Sequence, residues 1–158
     1  HGERMLAYYR ATVTPHAERS NMDWFSAMET DRLFRVPTVR LLDAQARHRP
    51  ADTRGYQFTF ESTQFGVPMG ACHVVDVPFV FGITDTPVGQ FFTGGTDQAR
   101  ALAERVQQVW GDFAHGCGAD WPAWSEQRQV HQFGPGEEMA RLLDDDAERL
   151  WEAVIPKA

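Results

Sequence analysis

The residues best equipped for chemistry sit in one stretch, Gly70-Ala71-Cys72-His73-Val74-Val75-Asp76-Val77-Pro78-Phe79-Val80-Phe81-Gly82. An imidazole with an ordinary pKa near ~6.5 can take a proton from an attacking hydroxyl at neutral pH and return it to a leaving group. His73 is the candidate for that work. Gln64 to Gly70 holds two glycines and a proline in seven residues, which makes it a loop with tightly set backbone angles, a stiff mount that leaves the ring accessible. Asp76 follows His73 by three residues, which leaves it open either as the orienting acid or as a structural hydrogen-bonding partner near the site. Cys72 is adjacent to His73, so the two side chains diverge, and a Cys-His nucleophilic pair is geometrically poor. The bland alternative is a hydrogen-bonded core histidine. A metal site is not expected: the remaining histidines, at 1, 16, 48, 115 and 131, show no ligand spacing around a His-x-x-Asp pair. No cofactor is expected either.

A proton-shuttling histidine needs a nucleophile, and none is evident. Ser20, Ser26, Ser62 and Ser125 all lack the flanking glycines of the G-x-S-x-G turn that presents a serine hydroxyl. Gly94-Gly95 comes after the histidine and reads as loop rather than as an oxyanion-hole motif. Met69, Phe79, Phe81 and Phe65 are candidates to wall an apolar acyl pocket, although such residues more commonly fill cores.

The elements that must position these groups can be sketched from periodicity. Residues 1–11 fit the tail of a helix. Asn21 is placed to cap a second one carrying Trp24, Phe25 and Met28 on one face. A third starts after Pro37 with Val39, Leu42 and Ala46, and ends in Arg47-His48-Arg49-Pro50. Tyr56-Gln57-Phe58-Thr59-Phe60 alternates as a strand does, entered through Gly55. Beyond Gly82 a second loop runs through Pro87, Gly89, Gly94 and Gly95. Thr96 then caps the clearest helix, whose Leu102, Val106, Val109, Trp110 and Phe113 recur at helical steps, ending at Gly116 or Gly118. Trp121-Pro122-Ala123-Trp124 reads as an anchoring turn. A short strand follows at 130–133, then a turn at Gly134-Pro135-Gly136. The carboxylates of Asp144-Asp145-Asp146 suit the start of a last helix with Leu150, Trp151 and Val154 facing inward.

Composition narrows the partners. With 42% hydrophobic and 23% charged residues the 158-residue chain has the apolar content for a core. Its net charge of -7 is the wrong sign for a phosphate backbone, so nucleic acid is not an expected partner. No run approaches the ~20 apolar residues of a membrane helix. Cys72 and Cys117, too few for a disulfide scaffold, read as buried thiols. The chain opens at His1 with no initiator Met or apolar leader, and the expectation is that polypeptide upstream is missing, which leaves the compartment open.

The Gly70 to Gly82 stretch resembles the catalytic-histidine segment of the type B carboxylesterases, the α/β-hydrolases that include para-nitrobenzyl esterases and cholinesterases. The resemblance extends to Asp31, Phe34, Pro37 and Arg40, to the strand from Tyr56, to Trp110, Phe113, Ala114 and Gly116, and to Trp121-Pro122 and Phe133-Gly134, covering residues 21–154. It implies an α/β fold class, with 1–158 as a single C-terminal segment of an α/β-hydrolase: late sheet strands plus covering helices, without an internal boundary and incomplete on its own. It further implies a serine carboxylesterase acting on small-molecule esters. His73 would be the catalytic base, with nucleophile and acid in the missing N-terminal part of the same protein, and the isolated chain would be inactive. The alternatives are a catalytically silent interaction module derived from the same fold, or a stand-alone small domain with a structural histidine.

Overall fold

Strong capping residues and helical apolar spacing make helix the dominant element, as the computed structural model shows for residues 1–14, 20–62 and 69–156. In chain order the elements are α1 (Gly2–Thr12), α2 (Ser20–Thr30), a π-helical turn (Asp31–Arg35), α3 (Val36–Ala46), β1 (Tyr56–Phe58), α4 (Val77–Val80), α5 (Pro87–Thr93), α6 (Asp97–Ala114), α7 (Trp124–Gln127), β2 (Val130–Phe133), β3 (Glu138–Ala140) and α8 (Asp145–Val154). They form two compact units, one of residues 1–48 with 141–158 and one of residues 49–140.

In the first unit α2 runs through the π turn into α3. Pro37 therefore does not begin a helix, and Asn21 lies inside α2 rather than capping it. The wider turn, closed by the Val36 N–H donating to the Asp31 carbonyl, takes the chain past Pro37, which has no N–H to give and whose ring would crowd a regular turn. Met5 and Tyr9 of α1, Val36, Val39 and Leu42, and Ala147 and Trp151 of α8 are buried. At their centre the Tyr9 hydroxyl donates to Asp31 Oδ2 (2.7 Å) and accepts from Trp151 Nε1 (2.8 Å). Asp31 Oδ1 is held by Arg35 at 2.8 Å, so this buried carboxylate is satisfied on both oxygens. The aspartate triplet does start α8: Asp144 Oδ1 accepts from the Ala147 N–H at 2.8 Å. Phe25 and Val154, expected inside, are exposed.

In the second unit β1 pairs parallel with β2, with Tyr56 opposite His131 and Phe58 opposite Phe133, and β2 pairs antiparallel with β3. The order β1-β2-β3 makes a small mixed sheet with helices on it, an α/β arrangement compatible with part of a larger fold. The strand is shorter than the alternation suggests. The ladder ends with the Thr59 N–H donating to the Phe133 carbonyl at 2.6 Å, and Phe60 turns into the core. That core joins Phe60, Val75 and Phe79 to Ala99, Leu102, Ala103, Val106 and Val109 of α6, with Trp121 and Phe133. Phe79 is fully buried, its ring 4.9 Å from those of both Phe58 and Phe60.

α6 is capped as its sequence indicates, Thr96 Oγ1 accepting from the Ala99 N–H at 3.1 Å. Its Leu102, Val106 and Val109 are buried as expected, together with Ala99 and Ala103, whereas Trp110 and Phe113, on the same stripe nearer the C-terminal end of the helix, are exposed. The expected loop after Gly82 contains α5, capped by Thr86 and closed by Gly94 in the left-handed conformation (φ 71°). Inside it Gly89 is required for space: a Cβ there would stand 1.9 Å from the Ile83 carbonyl oxygen. Cys117 is exposed rather than buried, on the turn after α6 between Gly116 and Gly118, both with positive φ.

Candidate active site

His73 stands on the turn that follows β1 and leads into α4, in the second unit. Several local features set that turn. Gly70 has φ 60°, its carbonyl accepting from the Ser62 and Cys72 N–H groups at 3.0 and 2.9 Å. Val74, directly after the histidine, also adopts a left-handed φ of 65°. For a β-branched residue that conformation is rare and costs on the order of 1–3 kcal/mol, a strain that accumulates where function fixes the backbone. The turn is pinned by Val75 and Phe79, both in the core, while His73 itself is exposed. A buried residue two positions on and an exposed ring thus give a rigid mount with an accessible side chain.

Asp76 occupies the N-cap position of α4, but its carboxylate does not cap that helix; its carbonyl instead accepts from the Phe79 and Val80 N–H groups. Its charge acts on Tyr56 at the start of β1, whose phenol is pushed up in pKa by burial first and by Asp76 second. Cys72 is half-buried against the core, in keeping with a packing role. Of the side chains proposed to wall an acyl pocket, Phe79 is sealed in the core and walls nothing, Met69 and Phe81 are exposed, and Phe65 lies outside the described residues.

Among the described serine side chains none is presented as a nucleophile. Ser62 is buried, Ser125 Oγ donates to the Pro50 carbonyl at 2.8 Å, and Ser26 is exposed on helix α2. None of these lies on a strand-to-helix elbow. Among the described residues no three His, Cys, Asp or Glu side chains converge to hold a metal ion, and no helix is long and apolar enough to cross a membrane. A groove of about 460 Å³ on the outer side of α6, lined by Glu104, Gln107, Gln108, Gly111, Asp112 and His115, is open and polar; it does not include His73.

The description of a hydrogen-bonded core histidine fits a different residue. His131 on β2 is 8% exposed. Its ring stacks on Trp121 (4.9 Å between centroids, 18° apart), and Nε2 lies 2.9 Å from Glu137 Oε2. Arg105 of α6 reaches the same carboxylate and also holds Asp120 at 2.8 Å, keeping the Asp120 carboxyl below its usual pKa. Sequence reading missed this group, because only the hairpin that follows β2 brings Glu137 back over His131.

The carboxylesterase family model matches residues 2–148. The chain belongs to the carboxylesterase family. That membership places the turn bearing His73 within an α/β-hydrolase framework. The phenmedipham hydrolase of Pseudarthrobacter oxydans is 28% identical over 133 residues, covering 78% of this chain and 26% of that relative. The para-nitrobenzyl esterase of Bacillus subtilis (strain 168) is 29% identical over 106 residues, covering 63% of this chain and 21% of the relative. The chain thus spans about a quarter of the length of these carboxylesterase relatives.

Proposed function

We propose that residues 1–158 form one C-terminal segment of a carboxylic ester hydrolase and that His73 is its general base. The observation that carries this reading is the turn itself: an exposed imidazole directly before a valine at φ 65°, clamped by core residues and following a parallel strand, in a chain of the carboxylesterase family. In the complete protein a serine hydroxyl from the remaining polypeptide would attack the ester carbonyl. His73 takes the hydroxyl proton as the C–O bond forms, backbone N–H groups stabilise the oxyanion, and the leaving alkoxide departs with that proton as the acyl-enzyme forms. Water then attacks the acyl-enzyme, His73 receives the water's proton, and returns it to the serine as the carboxylic acid leaves. The orienting acid would also come from outside this segment.

The test is the reading frame upstream of His1. It should encode a serine flanked by glycines, and the full polypeptide should hydrolyse para-nitrobenzyl or para-nitrophenyl esters. His73→Ala in that polypeptide should lower kcat by about ten-thousand-fold or more with KM little changed. A stop codon directly ahead of this chain, or a His73→Ala protein with near wild-type turnover, would overturn the reading.

A further inference from the structure

The second unit exposes large apolar side chains where a finished surface would be polar. Phe81 is 72% exposed, Phe113 65% and Trp110 42%, joined by Val74, Val77 and Tyr56. They are neighbours. Tyr56 and Trp110 meet edge to face with centroids 6.2 Å apart, and Trp110 and Phe113 are three residues apart on one face of α6. Gly82, next to Phe81, sits so close to Gln107, one turn before Trp110, that a Cβ there would stand 2.6 Å from the Gln107 amide oxygen. Val74, Val77 and Phe81 recur at steps of three and four along the turn into α4. The patch therefore runs from the His73 turn across α4 to the C-terminal end of the apolar stripe of α6. It also meets β1, which has a partner strand on only one edge among the described residues.

We propose that this face is packed, in the complete protein, by the rest of the same polypeptide, the part that also carries the nucleophile. The proposal rests on the reading of His73 given above and names the surface through which that site is completed. Two observations select this occupant. The chain spans 26% and 21% of its relatives' lengths, so most of a carboxylesterase of ordinary length is available to cover it. The patch also adjoins the His73 turn, and a hydroxyl can come within the ~3 Å that proton transfer requires only if the polypeptide bearing it closes on this side. Exposed aromatic surface of this kind marks a contact rather than solvent.

The experiment places a cysteine at Phe81 or at Phe113, after Cys72→Ser and Cys117→Ser, and follows thiol labelling in the 158-residue chain and in the full polypeptide read from the upstream frame. Labelling should be at least about tenfold slower in the full polypeptide at both positions, whereas the native Cys117, kept in a parallel protein, should label at similar rates in both. The 158-residue chain should also bind a hydrophobic dye, and Phe81→Ser with Phe113→Ser should remove most of that signal. Equal labelling in both proteins would overturn the proposal. So would a dye-negative 158-residue monomer, or protection arising in the short chain through a stable dimer, which would make a second copy the occupant. Slow labelling in a full polypeptide whose hydrolysis survives His73→Ala would leave the packing proposal standing and sink the catalytic one.

Discussion

The Tyr9 hydroxyl is committed twice inside the first unit, donating to the buried Asp31 and accepting from Trp151. Tyr9→Phe preserves the ring but leaves an indole N–H and one carboxylate oxygen without this partner. The expected loss is about 1–3 kcal/mol, read as a lower denaturant midpoint with unchanged slope. An unchanged midpoint would mean that water replaces the hydroxyl. The same corner sets an alkaline limit. Tyr8 is pushed up to about 12 from an ordinary value of 10.0, by burial first and then by its hydrogen bond to Asp144, and Tyr9 is raised in the same sense by burial and Asp31. A raised folded-state pKa means the neutral phenol is favoured in the fold. That stability is complete below the unfolded value of 10.0 and is lost as pH rises towards about 12. The denaturant midpoint should hold to pH ~9.5 and fall by pH ~11.5, and Tyr8→Phe should shrink the fall without abolishing it, since Tyr9 remains. An identical fall in Tyr8→Phe would remove Tyr8 from the account. None of this was visible in the sequence, where residues 1–11 read only as the tail of a helix and Asp31 only as part of a family pattern. The family membership was legible because the Gly70 to Gly82 stretch and its neighbours resemble a family pattern, whereas the left-handed Val74 beside His73 has no sequence signal at all, valine being among the last residues expected there.

Elements were legible where the signal was chemical and local. Thr96 and Asp144 are caps in the structure because short oxygen-bearing side chains satisfy helix N–H groups that nothing else reaches. Thr96→Ala should therefore cost about 1 kcal/mol, within the ~0.5–2 kcal/mol usual for such caps, and Thr96→Ser should recover most of it. A Thr96→Ala protein as stable as wild type would show that α6 is held by packing alone. Elements failed where punctuation residues serve two ends. Pro37 looked like a helix start but rides behind a π turn, and Pro87, Gly89, Gly94 and Gly95 looked like a loop but are the first turn, a close contact and the left-handed terminus of α5. Trp110 and Phe113 kept the helical period and still point outward, because periodicity reports a stripe without saying what lies against it.

At the scale of the molecule the decisive property is that no presented serine hydroxyl is found among the described residues. A serine esterase transfers an acyl group through a hydroxyl that must be both reachable by substrate and within ~3 Å of the imidazole. Among the described side chains Ser62 is buried, Ser125 spends its hydroxyl on the Pro50 carbonyl, and Ser26 is exposed within helix α2 without the glycine-flanked turn that presents a nucleophile. A solvent-exposed imidazole alone attacks activated esters only at the rate of free imidazole, without the oxyanion stabilisation worth roughly 10²–10³ per donor in kcat. The 158-residue chain should therefore hydrolyse para-nitrophenyl acetate no faster, per histidine, than N-acetylhistidine, with no burst of para-nitrophenol. His73→Ala should lower that small rate at most in proportion to one histidine among six. Saturable turnover that disappears in His73→Ala would show that a nucleophile lies within this chain after all, and Ser20→Ala, Ser26→Ala, Ser62→Ala and Ser125→Ala would then show which serine, if any, supplies it.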